Sequence, residues 1–110
     1  MKTVLVVGRD WKFRVLLRAQ LREEGYEALA FETLKDAEAE RASAAALVFD
    51  TSDSTPGEWQ PILQQLAASV PVVVVAGADE QMEAAPARVL RRPVRIADII
   101  SVVRGLAAAR

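Results

Sequence analysis

Residues 44–50 read Ala-Ala-Ala-Leu-Val-Phe-Asp, and the polar run Thr51-Ser52-Asp53-Ser54-Thr55-Pro56-Gly57 follows directly. An unbroken apolar run of this length, closed by turn residues, suits a strand buried on both faces. Asp50 ends it. A carboxylate at the C-terminal end of such a strand falls at the rim where open α/β sheets place their ligands. The plainer reading is that Asp50 only starts the turn, so the rest of the chain has to decide.

Upstream, Thr3 to Val7 is a β-branched run ended by Gly8, a first buried strand. Asp10 is a suitable N-cap for the helix that follows, whose inner face is read as Phe13, Leu16, Leu17 and Leu21, with Arg14, Arg18, Arg22 and Glu23 toward solvent. Gly25 sits where a helix-ending glycine belongs. Tyr26 to Phe31 reads as a short edge strand interrupted by Glu27. Thr33-Leu34-Lys35-Asp36 is a capping signature opening a helix to about Ala42.

Downstream, Glu58 to Ala68 reads as a helix with Pro61 in its first turn and Ile62, Leu63, Leu66 and Ala67 inside. Val72 to Val75 is a fourth strand, and Ala76-Gly77-Ala78 its rim. Asp79 to Ala85 is read as a turn or two of helix that Pro86 stops. Ala87 to Leu90 is a fifth strand ended by Arg91-Arg92-Pro93. Ile96, Ile99, Ile100 and Val103 mark a last helix, fraying over residues 105–110.

Strands alternating with amphipathic helices mean a parallel sheet covered on both faces. Right-handed crossovers make it a doubly wound, five-stranded, flavodoxin-like (βα)5 sandwich with the fourth helix short or missing, one domain over residues 1–110. That topology gathers Arg9, Asp10, Asp50, Ala76 and Arg92 at one edge of the sheet.

Composition narrows the function. The chain has 110 residues, 52% hydrophobic but only 5% aromatic, so its core is aliphatic. A net charge of −1 argues against a nucleic-acid surface. With no cysteine there is no disulfide and no thiolate metal site; with no histidine the commonest general base is missing. No nucleophile–base pair can be assembled from what remains, so enzymatic catalysis is not expected. No apolar run approaches the ~18 residues of a membrane span. Met1-Lys2-Thr3 leads straight into the first strand without a signal peptide, so a cytoplasmic domain is expected.

Val4–Asp10 (VLVVGRD), Leu47–Asp50 (LVFD), Pro71–Ala76 (PVVVVA) and Arg91–Val94 (RRPV), in this order and spacing, make the whole chain resemble the CheY-like receiver domain of two-component response regulators. The resemblance implies a phospho-acceptor at Asp50. It implies an acidic pair for Mg²⁺ where this chain has Gly8 and Arg9, with Asp10 at a third, often acidic position. It implies a Ser or Thr where Ala76 stands, a Lys where Arg92 precedes Pro93, and an aromatic switch residue where Val89 stands. Asp53 and Asp10 are then remnants of an acidic pocket, and Ala76 and Val89 are lost switch positions.

Mg²⁺ needs several hard oxygen ligands, and Arg9 would repel it. Phosphoryl transfer needs positioned positive charge. The expected function is therefore that of a non-catalytic pseudo-receiver, a protein-interaction module in two-component or phosphorelay signalling that works without phosphorylation. No cofactor is expected. Arg9, Arg92 or both are expected to pair with Asp50 in place of the ion and to lower its pKa. One alternative is an atypical receiver still phosphorylated on Asp50, with Mg²⁺. The other is a small-anion or nucleotide site where Arg9, Lys12, Arg91, Arg92 and Arg95 gather. Expected partners are a signalling protein, such as a kinase or effector, or a second copy in a homodimer, and neither nucleic acid nor membrane. With the fourth helix reduced, docking shifts to the first helix or to an exposed Trp11 and Trp59; the plainer reading packs each Trp over a helix end.

Overall fold

The computed structural model describes residues 1–82 and 87–109. The elements run β1 Thr3–Val7, α1 Trp11–Glu23, β2 Glu27–Phe31, α2 Leu34–Ala37 with a 3₁₀ turn over Glu38–Ser43, β3 Ala44–Asp50, α3 Pro56–Ala67, β4 Val72–Ala76, β5 Ala87–Arg91 and α4 Ile96–Ala108. All strands pair in parallel in the order β2-β1-β3-β4-β5, so β3 is central and β2 is an edge. This is the doubly wound flavodoxin-like sheet.

Strand alternation splits the core in two. Leu5, Val7, Leu47, Phe49, Val72 and Val74 face α2 and α3, while Val4, Val6, Ala46, Val48, Val73 and Val75 face α1 and α4. A strand covered on both faces is apolar at every position, as β3 is. By the same parity Asp50 follows Ala46 and Val48 toward α1 and α4. Beside it in register lies Val75 of β4.

Several elements depart from the sequence reading. α2 is a single turn continued as 3₁₀ helix, since only Leu34 and Ala37 of the segment are buried against the core. α3 starts at Pro56, which takes the first helical position, so Pro61 lies inside the helix rather than in its first turn. Trp59 joins Leu63 and Leu66 on the inner face and is buried. Leu16 is 60% exposed, because Phe13, Leu17 and Leu21, four residues apart, form a stripe turned away from it. Arg14 and Arg18 are not simply solvated: Arg14 donates to the Gly8 carbonyl and Arg18 Nε to that of Ala28 at 3.2 Å. α4 continues unbroken through Gly105 to Ala108, its inner face held by Val103 and Ala107; Arg110 lies outside the described residues. After β4, Ala78 and Asp79 form a turn and no helix begins by Met82; residues 83–85 and the stop at Pro86 lie outside the described residues. Gly25 ends α1 at φ 93°, a conformation that glycine adopts without strain. No helix of the described residues is long and apolar enough to cross a membrane.

Candidate functional site

Asp50 is the last residue of β3, and its side chain is only 2% exposed. Arg92 follows β5 by one residue and has the parity of Leu90, which packs on the α1/α4 face, so both side chains meet on that face. Arg92 Nη1 donates to Asp50 Oδ1 at 2.5 Å and to the Val75 carbonyl at 3.0 Å. Ser52 Oγ donates to the same carboxylate oxygen at 3.3 Å. The backbone of Arg92 donates to the Ala76 carbonyl at 2.7 Å, which fixes the base of the side chain.

A second carboxylate backs the guanidinium. Glu80 Oε1 lies 3.9 Å from Arg92 Nη2, accepts from Thr51 Oγ1 at 2.6 Å and from the Gly77 N–H at 2.9 Å. Arg92 Nη2 donates to Thr51 Oγ1 at 3.3 Å. Arg91 Nη1 ties the same turn down through the Gly77 carbonyl at 3.0 Å and the Glu80 carbonyl. Arg92 is thus held between two carboxylates, with Thr51 bridging it to the second. Glu80 does not figure in the sequence reading. Its only local signal is an acidic residue three positions past the rim glycine, Gly77.

Burial pushes the Asp50 carboxyl up from its ordinary range. Desolvation of the charged form is the largest cause. Arg92 and the Ser52 hydrogen bonds pull the other way, and Asp10 adds to the rise. The expected lowering is therefore corrected: the guanidinium is in place, but the carboxylate has lost more in water than it regains from its partners.

The other site residues scatter. Arg9 does not reach Asp50; it is half exposed, with Nη2 3.9 Å from Glu58 Oε2. Asp10 caps α1, its Oδ1 accepting from the Lys12 N–H at 3.0 Å. It shares with Asp50 a cavity of about 480 Å³ that Phe13, Ser52, Arg92 and Pro93 also line. Asp53 is exposed at φ 61° and does not line that cavity. Ala76 is buried at the end of β4. Val89 is 38% exposed and pairs with Val74. Arg9 and Arg92 line separate cavities, so they do not form one basic rim.

No protein-family model matches the sequence, and no curated protein matches it. Solved structures do resemble it in fold. A CheY-like response regulator receiver domain protein from Methanospirillum hungatei JF-1 is 19% identical, with 99% of this chain and 95% of that one covered and a TM-score of 0.78. A receiver domain protein from Clostridium thermocellum is 15% identical over 99% and 96%, with a TM-score of 0.78. A response regulator receiver protein from Burkholderia phymatum is 20% identical over 98% and 96%, with a TM-score of 0.76. The chain has the receiver fold.

The receiver resemblance implies Mg²⁺ beside Asp50, and the residues present do not fit it. Among the described residues no three acidic side chains are placed to share a metal ion. A guanidinium nitrogen stands 2.5 Å from Asp50 Oδ1, where a cation would bind, and Asp10 Oδ1 is engaged in capping α1. Position 8 supplies no carboxylate either, and it is tightly packed: a Cβ on Gly8 would lie 3.1 Å from Asp50 Cβ. A hard divalent ion needs several converging oxygens, and this pocket offers two carboxylates, Asp50 paired with Arg92 and Asp10 capping α1.

Proposed function

We propose that this receiver-fold domain is a pseudo-receiver, a non-catalytic protein-interaction module of two-component signalling that acts without phosphorylation. The observation that carries the reading is Arg92 on Asp50. A built-in guanidinium supplies the positive charge that a metal ion would bring, and it engages one of the two Asp50 oxygens. With Glu80 and Asp50 both against it, Arg92 has no free charge to offer a phosphoryl group. Ala76 has no hydroxyl to follow such a group. Val89, 38% exposed, is not aromatic and carries no ring that could swing inward. Exposed apolar side chains support the interaction role: Trp11, Val15 and Leu16 of α1 are 55–60% exposed.

The test is incubation with acetyl phosphate and Mg²⁺, read by intact mass. The expected result is an unmodified chain, with Mg²⁺ leaving the melting temperature unchanged. A phosphate-mass adduct that Asp50→Asn abolishes would overturn the proposal in favour of an atypical phospho-acceptor.

A further inference from the structure

Arg9 belongs to a different site from Asp50. It stands at the mouth of a cavity of about 190 Å³ between the start of α2 and the start of α3, on the face of the sheet opposite Asp50. Leu34, Phe49, Trp59 and Ile62 form apolar walls, and Lys35 joins Arg9 at the edge. For scale, a buried apolar cavity of roughly 150 Å³ accommodates benzene, so the space suits a single ring. Phe49 and Trp59 already meet edge to face, with centroids 5.3 Å apart, and present an aromatic wall to such a ring.

Two observations add polarity to that shape. The Trp59 Nε1–H is buried and has no hydrogen-bond partner among the described residues, whereas buried donors are ordinarily satisfied. The charges at the edge are also unevenly paired. Glu32 is drawn to Arg14, 4.0 Å away, and Glu58 to Arg9, 3.9 Å away. Lys35 has no ion-pair partner among the described residues, which leaves one unpaired cation at the edge. The Arg9–Glu58 contact is long and exposed, a carboxylate resting loosely on a guanidinium that a better-placed carboxylate can take over.

We propose that this cavity binds a small, free, single-ring carboxylate, with the ring against Phe49 and Trp59 and the anion at Arg9 and Lys35. Apolar walls with a few convergent polar groups are the usual make-up of a small-molecule site. The site is independent of Asp50 and of the pseudo-receiver reading.

Trp11→Phe leaves Trp59 as the only indole, because the chain has two tryptophans. In that protein sodium benzoate, benzyl alcohol and benzylamine are titrated against Trp59 fluorescence and its indole ¹H–¹⁵N resonance. Benzoate is expected to saturate with a dissociation constant on the order of 1 mM, in keeping with so few heavy atoms. Benzyl alcohol is expected to bind about threefold or more weakly, and benzylamine more weakly still, the scale of an exposed ion pair. Arg9→Gln and Lys35→Gln are each expected to erase the preference for benzoate over the alcohol. Glu58→Gln, which removes the internal competitor, is expected to tighten benzoate about twofold to threefold. The proposal is overturned if benzoate gives no saturable change at Trp59, if benzylamine binds as well as benzoate, or if the preference survives both Arg9→Gln and Lys35→Gln.

Discussion

Arg9 and Arg92 follow β1 and β5 at the same edge of one sheet, yet their surroundings are opposites. Arg92 is one-third exposed, touches a carboxylate that is 2% exposed, and is backed by Glu80, Thr51 and the Val75 carbonyl. Arg9 is half exposed and leans on Glu58, itself 66% exposed, at 3.9 Å. The same side chain is structural on one side of β3 and an exposed surface charge on the other. Burial of the acid, not the presence of the base, makes the difference: desolvated carboxylates need their partner, and solvated ones have water.

The largest expected consequence is at Arg92. Arg92→Ala leaves Asp50 either charged and unpaired or forced to take a proton, and strips Thr51 and the Val75 carbonyl of a partner. We expect a loss of about 3 kcal/mol in urea unfolding at neutral pH. Adding Asp50→Asn should recover more than half of it, because a neutral amide needs no counter-ion. If Arg92→Ala costs no more than Arg9→Ala, the contrast between the two sides collapses.

Glu80 comes next. Glu80→Ala removes the acceptor for the Gly77 N–H and for Thr51 Oγ1, at an expected cost of about 1–2 kcal/mol in the same assay. Amide exchange at Gly77 should accelerate with it. Unchanged exchange there would mean that Glu80 does not hold the β4 rim.

A slope follows these steps. Because burial raises the Asp50 pKa in the folded protein, the native state binds more protons than the unfolded chain between the ordinary carboxylate range and the raised value. Stability contributed by this group is complete below the ordinary range and falls as pH rises through the raised value. The stability of the wild type minus that of Asp50→Asn should therefore decline as pH rises across that window. A difference that grows with pH would show that Arg92 outweighs desolvation.

The sheet and its order were legible because β1, β3 and β4 are uninterrupted apolar runs, and only burial on both faces selects such runs. Parity then places Arg92 with Asp50: both stand on the even-numbered face of their strands, one continued from Val48 and the other from Leu90. Arg9 escapes that logic because it lies two residues past the end of β1, beyond Gly8, whereas Arg92 directly follows the last residue of β5. Trp59 could have been assigned to the core, since it precedes Leu63 by four residues and Leu66 by seven, a helical stripe. Glu80 could not. Its partner Thr51 is 29 residues away in sequence, and no local pattern encodes that meeting. α2 was overextended for a related reason: alanine- and glutamate-rich residues favour helix locally, but from Glu38 to Ser43 nothing is buried that would hold a helical face to the core.

The smallest expected effect is at Arg9, and its smallness is informative. Arg9→Ala breaks one exposed contact, so its unfolding free energy should stay within about 0.5 kcal/mol of the wild type. Arg9→Asp goes further, placing a carboxylate where the receiver resemblance implies one. If charge alone excluded Mg²⁺ from Asp50, this reversal would admit it. The geometry says otherwise, because Arg9 points to Glu58, Arg92 still covers Asp50 Oδ1, and Gly8 supplies no ligand. Isothermal titration of Arg9→Asp with Mg²⁺ should show no binding in the millimolar range, whereas Arg9→Asp combined with Arg92→Lys tests whether the shorter, more flexible ammonium gives up the oxygen. Binding by the single variant would mean that Arg9, not Arg92, keeps the ion out, and the two sides of β3 would exchange roles.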